Sequence, residues 1–533
     1  MNYDLILSGG IIVDGSGNPW FKADVGIKDG KIAKIGKIPC SKADKHIDVA
    51  GLVLAPGFID IHSHSDMILW TKPELDCKIR QGITTEVVGN CGSSAAPLYG
   101  EAYEEAEKFI ENLPGGSEKK PFWSTISEYL QALKEQGVPV NVATLIGHST
   151  VRTCVMGFRD DDPSRSEMNE MKELVDQGMK DGAFGLSTGL IYAPGCYAKT
   201  SELIALSKVV ADHGGIYVSH VRNEGNKLLQ SIWEAIEIGR KAGLPIHISH
   251  HKASGVMNWG KVRISLSLME EVRREGIDVT CDVYPYTAGC SWCLSHILPR
   301  WISEGGVTEM IRRLKKRGVR ERIRRQIEQG VDVSPLLELG EWDSIIIAAV
   351  KSEKNRNVEG MSLAEISRLK GMDPLDCIFD LIIDEEDEIT GFFFTMCEND
   401  VQYVIKHRLS MVGTDAVPPR RRGLVHPRNY GTFPKVIRKY VNEMKIITLE
   451  EAIRKMTSAP AQRLGLHDRG LLRENFWADI VVFNLRAIRD EATYKNPYKY
   501  PSGIEFVLVN GVIVVDRGRF TGEMPGKILT KKT

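Results

Sequence analysis

The feature that most limits how this chain can fold is an alternation of short apolar strands and amphipathic helical stretches, repeated eight times through its centre. The predicted strands are short apolar runs with polar residues at or near their ends, and stretches with helical periodicity, such as KLLQSIWEAIEIGRKAG, lie between them. The predicted strands cover residues 57–64, 84–91, 140–149, 182–190, 214–221, 244–251, 277–286 and 409–416. Eight such units predict an α/β fold, a (β/α)8 TIM-like barrel whose strand ends meet in one site.

Both ends of the chain carry a different pattern. The first 50 and the last 60 residues alternate strand-like runs with Gly and Asp turns, as in KADVGIKDGKIAKIGKI and GIEFVLVNGVIVVDRGRFTG. We expect residues 1–55 and 470–533 to form one small composite β-sandwich domain. This domain would pack beside a barrel domain at 56–469.

A long segment, residues 287–408, separates the seventh predicted strand from the eighth. One crossover helix and its loops require far fewer residues. Residues 298–390 are charged and helical in pattern, as in MIRRLKKRGVRERIRRQIEQG, and predict a helical subdomain inserted after strand seven. The alternative for the Arg/Lys run is a nucleic-acid-binding arm, but Glu and Asp recur just after it.

Charge and cysteine content limit the partners and the compartment. A net charge of −1 and a sequence pI near 6.9 do not favour nucleic acid or an anionic membrane, which select basic surfaces. No apolar run reaches the ~18 residues of a membrane span, and the start MNYDLILSGGIIVDG lacks the features of a signal peptide. The ten cysteines are scattered, so we expect reduced thiols and a cytoplasmic protein. Cys290 and Cys293 have redox or zinc-knuckle spacing, but no second pair lies near them.

Residue types that bind metals lie at five of the eight predicted strand ends. They are His62 and His64 after strand one, Cys91 after strand two, His220 at strand five, His250 at strand six and Asp415 at strand eight. Imidazole and thiolate suit zinc, and a carboxylate adds a hard ligand or a proton acceptor. Because these ends meet in a barrel, the sequence predicts a metal site there.

The spacing of the histidines supports this interpretation. His62 and His64 are two positions apart, so on a strand both side chains face one side and can reach one ion. His250 has the same strand phase in HISH that His220 has in VSH. Strand alternation turns His251 away from that side.

Each candidate has an ordinary structural alternative when it is taken singly. Asp415 could be a helix cap or a turn residue, and each histidine could be a core or loop residue. Cys91 in GNCGSSAAP could be a packed thiol, since free cysteine is often buried. We interpret His247 as a packing residue. The convergence of the others in one barrel mouth is what favours a ligand role for them.

Longer motifs around these residues resemble a known family. PGFIDIHSHSD, the strand ends with His220 and His250, and GTDA resemble the amidohydrolase superfamily of metal-dependent hydrolases. Within it, the chain is similar to the N-acyl-D-amino-acid deacylases, or D-aminoacylases, in VVGNCGSSAAP, GLIYAPGCYA, SHVRNEG, ISHHKASG, DVYPYTAG, HPRNYGTFPKV and TGEMPGKIL. The resemblance covers nearly the whole chain except residues 298–390.

The resemblance implies a distorted (β/α)8 barrel with a small β domain, zinc at the barrel mouth, and cleavage of an amide that releases a D-amino acid. The residues that match the tightly held zinc are Cys91, His220 and His250. The residues that match a second, weaker metal position are His62, His64 and Asp415. Asp415 also matches the catalytic acid/base. The residues that match contacts to the substrate carboxylate are Tyr192, Lys252, Tyr284 and Arg428.

The chain departs from the family pattern in two places. After YPYTAG a serine is expected as a further substrate contact, but Cys290 stands there and Ser291 follows. The insertion after strand seven is longer than expected. We expect it to form a lid or an outer wall of the site.

The expected reaction is attack of water on an amide carbonyl. Zinc lowers the pKa of water from about 15.7 toward ~7 and polarises a carbonyl. We expect Asp415 to take the proton from the attacking water and to deliver it to the leaving nitrogen. Arg428 offers a planar fork and Lys252 a point charge for the substrate carboxylate. Fixing this carboxylate and the scissile carbonyl allows one enantiomer to be selected, and the D form follows only from the resemblance.

Three alternatives stay open at this point. A cyclic amidase of the hydantoinase or dihydroorotase type generally needs a carboxylated lysine on strand four, where GAFGLSTGLIYAPG has none. A dipeptidase acting on peptides with a C-terminal D-residue has the same expected sequence features. A non-catalytic scaffold would be expected to lose ligands, whereas every ligand position is retained here. If the chain is an enzyme of any of these kinds, we expect its partner to be a small-molecule substrate. The oligomeric state stays open.

Overall fold

The centre of the chain folds as the predicted barrel in the computed structural model, which describes residues 2–39, 42–74, 76–330, 337 and 340–531. The barrel strands are Phe58–Asp60, Ile83–Val88, Asn141–Thr144 with Ile146–Gly147, Gly185–Gly189, Ile216–His220, Ile246–Ile248, Val279–Val283 and Ser410–Val412. Neighbouring strands pair in parallel in this order. A parallel bridge between Ser63 and Ala416 connects the segments that follow the first and last strands.

The barrel is distorted at its third strand. Asn141–Thr144 pairs with the second strand, whereas Ile146–Gly147 pairs with the fourth, so the ladder divides into a three-stranded and a six-stranded sheet. The predicted strand at 140–149 is too long, because the helix His148–Met156 begins inside it. Several other strands also end earlier than predicted, and their last polar residues lie in turns at the barrel mouth.

Helices cover the outside of the barrel because their apolar residues recur at helical spacing. In Leu228–Ala242 the residues Leu228, Ile232, Ala235 and Ile236 are buried, and Gly243 ends the helix in the left-handed conformation. The other α-helices described outside the insertion are Ile68–Thr71, Glu101–Glu111, Ile126–Gln136, His148–Met156, Arg165–Lys180, Thr200–Asp212, Lys261–Arg274, Glu398–Lys406, Arg428–Lys435, Leu449–Met456 and Ser458–Leu464, and Arg428–Lys435 continues into the π-helix Val436–Glu443. In the described part of the chain, no helix combines the length and the apolarity that crossing a membrane requires.

Nine strands from both chain ends form one hydrogen-bonded sheet beside the barrel. They are Tyr3–Ile12, Phe21–Lys28, Lys31–Gly36, Ala43–Asp48, Val53–Pro56, Ile480–Phe483, Ile504–Val509, Val512–Asp516 and Arg519–Phe520. Val53–Pro56 and Ile480–Phe483 pair antiparallel and so connect the two ends, and residues of both ends share an apolar cluster. The last described residues leave this sheet, because Pro525 and Ile528 pair with residues at the start of the third barrel strand. The proposed boundary 470–533 therefore includes a tail that belongs to the barrel surface. Residues 1, 40–41 and 532–533 lie outside the described residues.

The inserted segment after the seventh strand, residues 289–393 in the structure, contains the predicted helices and also a small sheet. Its helices include Gly306–Leu314, Arg317–Glu328, Leu363–Lys370 and Pro374–Glu385. Gly289–Ser291, Thr390–Phe393 and Ile345–Ala349 form a three-stranded antiparallel sheet with Thr390–Phe393 in the middle. The run of three isoleucines at 345–347 favours a strand. The helices and this sheet enclose an apolar core of their own. Residues 331–336 and 338–339 of the predicted insertion lie outside the described residues.

Candidate metal centre

The structure brings the six predicted ligand residues together at the carboxyl end of the barrel. Four of them offer one ligand atom each within 4.8 Å of one another, and all four are buried: His62, Cys91, His250 and Asp415. A second group at this spacing consists of His220, Glu224 and His250. His64 adjoins the first group, because its Nε2 lies 3.1 Å from Oδ1 of Asp415. That these residues bind a metal stays a prediction, which their geometry fits.

Cys91 lies at the centre of the first group. Its Sγ is 3.3 Å from Nε2 of His62 and 3.4 Å from Nε2 of His250. Burial raises the pKa of a thiol, but the imidazoles of His62 and His250 outweigh it and hold the pKa of Cys91 well below its usual value. A thiolate among imidazoles is a donor set that zinc prefers.

His220 is a buried imidazole without a hydrogen-bond partner among the described residues, although its Nε2 lies 3.8 Å from Oε1 of Glu224. Neither ring nitrogen has a hydrogen-bond partner, and the ring centroid lies 4.3 Å from that of His250. Buried polar atoms are nearly always paired in native proteins. The unpaired nitrogens of His220, beside Cys91 and His250, are therefore consistent with a site for a metal ion.

Three of the six residues have a left-handed backbone. The φ angles are 50° at Cys91, 35° at His250 and 48° at Asp415. This conformation is uncommon for residues other than glycine and clusters at functional sites, where the surrounding structure maintains it. Here it occurs directly where three strand ends turn at the barrel mouth.

Asp282 is a buried carboxylate that the survey of strand ends missed. One oxygen, Oδ2, lies 3.2 Å from Nδ1 of His62 and 3.0 Å from Nε2 of His247. The other oxygen accepts a hydrogen bond from the backbone N–H of His250 over 3.0 Å. A carboxylate on the far ring nitrogen orients a ligating imidazole. Asp282 stands within the seventh strand, one residue before its end, so a survey limited to strand ends did not include it.

Glu224 is a second residue that the sequence interpretation missed, although it lies in the motif SHVRNEG. Nζ of Lys252 donates a 2.6 Å hydrogen bond to its Oε1, and the same oxygen lies 3.2 Å from Nδ1 of His250. Burial alone would raise the pKa of Glu224, but Lys252 and His220 outweigh it and lower this pKa. Lys252 is thus neutralised by Glu224 where the resemblance implies a substrate contact.

The residues predicted to contact the substrate carboxylate lie at two depths: three line the cleft, and the fourth is buried. Tyr192, Lys252 and Tyr284 line the cleft above the metal residues. Arg428 is fully buried behind them, where its Nη1 donates a 2.7 Å hydrogen bond to Oδ2 of Asp415. Its guanidinium also lies 4.9 Å from the ring centroid of Tyr284. In this structure the guanidinium therefore contacts the proposed catalytic carboxylate directly.

The remaining two histidines of the sixth strand region are buried and point elsewhere. His247 is hydrogen-bonded between Thr280 Oγ1 at 2.8 Å and Asp282 Oδ2 at 3.0 Å. Its ring packs inside the barrel and also contacts the carboxylate that orients His62. Nε2 of His251 lies 2.8 Å from Oγ of Ser265, on the helix Lys261–Arg274. His251 is thus directed toward that helix.

A cleft of about 890 Å³ opens above these side chains. Its walls include residues of the insertion, among them His296, Leu298 and Phe393.

Cys290, at the position of the expected serine, also lines the cleft, and burial raises its pKa to about 12. Cys290 is therefore a neutral thiol. Each of the nine described cysteines is free of a disulfide bond, Cys290 and Cys293 included.

Comparison with known proteins connects this site to one family. The model of the amidohydrolase family matches residues 45–515. The N-acyl-D-glutamate deacylase of Alcaligenes xylosoxydans xylosoxydans is 35% identical, over 99% of this chain and 96% of its own length. A solved D-aminoacylase described as having a binuclear metal centre, with one-metal activation and second-metal attenuation, has a TM-score of 0.83 and 34% identity over 99% of this chain and 100% of its own.

A second solved structure carries a metal and an inhibitor. It is the N-acyl-D-glutamate deacylase of Bordetella bronchiseptica, complexed with zinc and a phosphonate that mimics the tetrahedral intermediate of the reaction. Its TM-score is 0.84, with 32% identity over 99% of this chain and 100% of its own. The family match and the full-length similarities agree with the barrel fold. This chain belongs to the amidohydrolase family and, within it, to the N-acyl-D-amino-acid deacylases.

Proposed function

We propose that the chain is a zinc-dependent amide hydrolase that releases a D-amino acid from an N-acyl-D-amino acid. The observation that carries this proposal is the buried group of His62, Cys91, His250 and Asp415, with ligand atoms within 4.8 Å of one another. The full-length similarity to a D-aminoacylase and to two N-acyl-D-glutamate deacylases supports the substrate class.

The residues present fit a zinc site. In this proposal Cys91, His220 and His250 hold one ion tightly, and His62, His64 and Asp415 form a second, weaker position. The buried, unpaired nitrogens of His220 and the low pKa of the Cys91 thiol support this division. Zinc, when bound, lowers the pKa of water and polarises a carbonyl. The relative with one-metal activation supports a single ion as the active form.

Asp415 acts as the proton carrier. Burial raises the pKa of this carboxyl, but the charges of Arg428 and His250 outweigh it and hold the pKa well below its usual value. Asp415 is therefore ionised at neutral pH and can accept a proton from the attacking water. It then delivers this proton to the leaving nitrogen, a transfer that typically contributes ~10²–10⁴-fold.

The substrate carboxylate is held by Lys252, Tyr192 and Tyr284 on the cleft wall, with Arg428 behind them. Arg428 supplies positive charge to this region, although its Nη1 is already bonded to Asp415. These contacts place the α-carbon at a fixed distance from the scissile carbonyl. Two fixed points and the cleft wall are enough to favour one enantiomer.

Two other enzymes are the alternatives. A cyclic amidase would need a carboxylated lysine at the end of the fourth strand, but Gly185–Gly189 reads GLSTG. A dipeptidase that cleaves peptides with a C-terminal D-residue would use the same groups. A non-catalytic scaffold is the least supported alternative, since all six ligand positions are retained.

We also propose a cytoplasmic location, because a thiolate ligand such as Cys91 must stay reduced.

The test is a substrate panel assayed with added zinc. The panel contains N-acetyl-D- and N-acetyl-L-amino acids, hydantoins, and dipeptides with D-residues. We expect hydrolysis of the N-acetyl-D-amino acids, loss of activity after chelation, and recovery with zinc. Preferential turnover of hydantoins or of L-substrates would contradict the proposal, and purified protein without zinc would favour the scaffold.

A further inference from the structure

The cleft has an aromatic wall beside His64. The ring of Trp292 packs edge-on against the ring of His64, with centroids 5.4 Å apart, and against Phe109, with centroids 5.0 Å apart. Phe109 lies on the helix Glu101–Glu111, and both aromatic residues line the cleft. Ala102 and Ala106 of the same helix line it too. We call Trp292 and Phe109 the aromatic wall.

Two of the proposed carboxylate contacts, Lys252 and Tyr192, lie on the other side of the metal residues. Nζ of Lys252 is 2.7 Å from Nδ1 of His250, and Tyr192 packs on His220 with ring centroids 5.3 Å apart. The ring of His62 lies between, with centroids 4.9 Å from His250 and 5.4 Å from His64. The row of imidazoles therefore has carboxylate-binding groups at one end and the aromatic wall at the other.

The chemistry of the substrate gives these two ends different occupants. In an N-acyl amino acid, the carboxylate and the acyl chain extend from opposite ends of the scissile amide. If the carboxylate lies near Lys252 and the carbonyl near the metal residues, the acyl chain points toward His64 and Trp292. Phe109 lies one ring beyond Trp292, so we expect a chain longer than acetyl to reach it.

We propose that the aromatic wall is a subsite for an apolar acyl chain longer than acetyl, so that the preferred substrates are N-acyl-D-amino acids with short- to medium-chain fatty acyl groups. This rests on the proposed deacylase function. An acyl chain with a charged amino group, as in a dipeptide, would place an ammonium against the aromatic wall and small apolar side chains. The carboxylate of Glu105 also lines the cleft, but it already pairs with Lys108 at 3.2 Å. Removing an ammonium from water against mostly apolar groups is unfavourable.

The insertion positions this wall. Trp292 directly follows the strand Gly289–Ser291, which pairs with Thr390–Phe393 in the sheet of the insertion. The backbone carbonyl of Trp292 also accepts a 3.2 Å hydrogen bond from Nη2 of Arg420. Through Trp292, the insertion after the seventh barrel strand thus contributes to the choice of acyl group.

The first test compares N-acetyl-, N-butanoyl- and N-hexanoyl-D-alanine as substrates of the zinc enzyme. We expect kcat/KM to rise along this series, by up to about fourfold for each methylene that the wall buries. Trp292→Ala and Phe109→Ala should flatten the series, measured as the ratio of hexanoyl to acetyl. Trp20→Ala is the matched control, because Trp20 is 53% exposed in the segment before the strand Phe21–Lys28 and should leave the ratio unchanged.

The second test asks whether the aromatic wall binds the acyl chain, rather than the charged residue of a dipeptide or the side chain of the amino acid. N-Propanoyl-D-alanine and glycyl-D-alanine differ only by a methyl group in place of an ammonium, and we expect the first to be the better substrate. N-Acetyl derivatives of D-alanine, D-norvaline and D-norleucine vary the side chain instead, and Trp292→Ala should alter this series less than the acyl series.

The outcomes distinguish this subsite from the function on which it rests. A flat acyl series in an enzyme that hydrolyses N-acetyl-D-alanine would overturn the subsite and leave the deacylase function. Preference for glycyl-D-alanine, or a Trp292→Ala effect confined to the side-chain series, would also overturn it. Failure to hydrolyse any N-acyl-D-amino acid would instead reject the deacylase function.

Discussion

Arg428 donates a hydrogen bond from Nη1 to Oδ2 of Asp415 over 2.7 Å, and the arginine is fully buried. The other carboxylate oxygen of Asp415 lies 3.1 Å from Nε2 of His64 and 3.4 Å from Nε2 of His62. Asp415 is therefore fixed between a permanent positive charge and the candidate ligands. Such a carboxylate is ionised and oriented before any substrate arrives.

Asp415→Ala removes the proposed proton carrier. We expect kcat to fall by about 10²–10⁴-fold, the usual contribution of general acid–base transfer. Zinc bound per chain should stay close to the wild-type value, because Cys91, His220 and His250 remain. Both quantities are measured on one preparation. Asp415→Asn should lose a similar factor in kcat, since it retains the size but cannot carry the proton, and near-normal turnover in either variant would disprove the role.

Arg428→Met tests two effects of one guanidinium. We expect a large rise in KM for carboxylate substrates, because a positive charge near the carboxylate is lost. Arg428 also holds the pKa of Asp415 down, so its removal raises that pKa, and the acid limb of the kcat/KM profile should move to higher pH. Arg428→Lys retains the charge and should show a smaller shift of the limb. An unchanged KM would exclude the substrate role, and an unmoved acid limb would exclude the effect on Asp415.

Cys91→Ala should lose the tightly held zinc and the activity together. The reason is that its sulfur lies within 3.4 Å of two imidazole nitrogens, and no other described thiol belongs to the ligand groups. Zinc content and turnover of the purified variant are the measurements. Cys397→Ser is the control, because Cys397 occupies the N-cap of the helix Glu398–Lys406, where serine is favoured. A fully active, zinc-replete Cys91→Ala would make Cys91 a packing residue.

Lys78→Met should destabilise the barrel beneath the metal residues. Nζ of this buried lysine donates hydrogen bonds of 2.6 Å to Asp60 and 2.7 Å to Thr414, and it lies 3.4 Å from Glu86. Removing one member of a buried ion pair leaves an uncompensated charge and typically costs about 3–5 kcal/mol. We expect a clear fall in Tm, and also in kcat, because Thr414 precedes Asp415.

The control for Lys78→Met is an exposed ion pair. Lys28 contacts Asp4 at 2.6 Å on the surface of the terminal sheet, and its side chain is 36% exposed. Such pairs contribute little to stability, so Lys28→Met should leave Tm almost unchanged. An equal fall in Tm for both substitutions would show that the buried ion pairs of Lys78 contribute no more to stability than an exposed pair.

The barrel and the residue types at its mouth were predictable because local patterns encode both. The period of the apolar residues distinguishes strand from helix, and the barrel topology then brings strand ends together whatever their distance along the chain. The sheet of the insertion was missed because the run IIIAA at 345–349 is too short to separate strand from helix by periodicity. Asp282 was missed because it lies one residue before the last residue of its strand, among apolar neighbours.

The sequence by itself determined the eight β/α units, the sheet that combines both chain ends, and the identity of the six candidate ligands. Local periodicity and residue chemistry carry that information. Only the tertiary structure decided that Arg428 lies behind Asp415, that Glu224 neutralises Lys252, and that Trp292 of the insertion packs on His64. The pairs formed by Arg428, Glu224 and Trp292 join residues from different loops whose separation follows no period. Their contacts arise from how the barrel mouth packs.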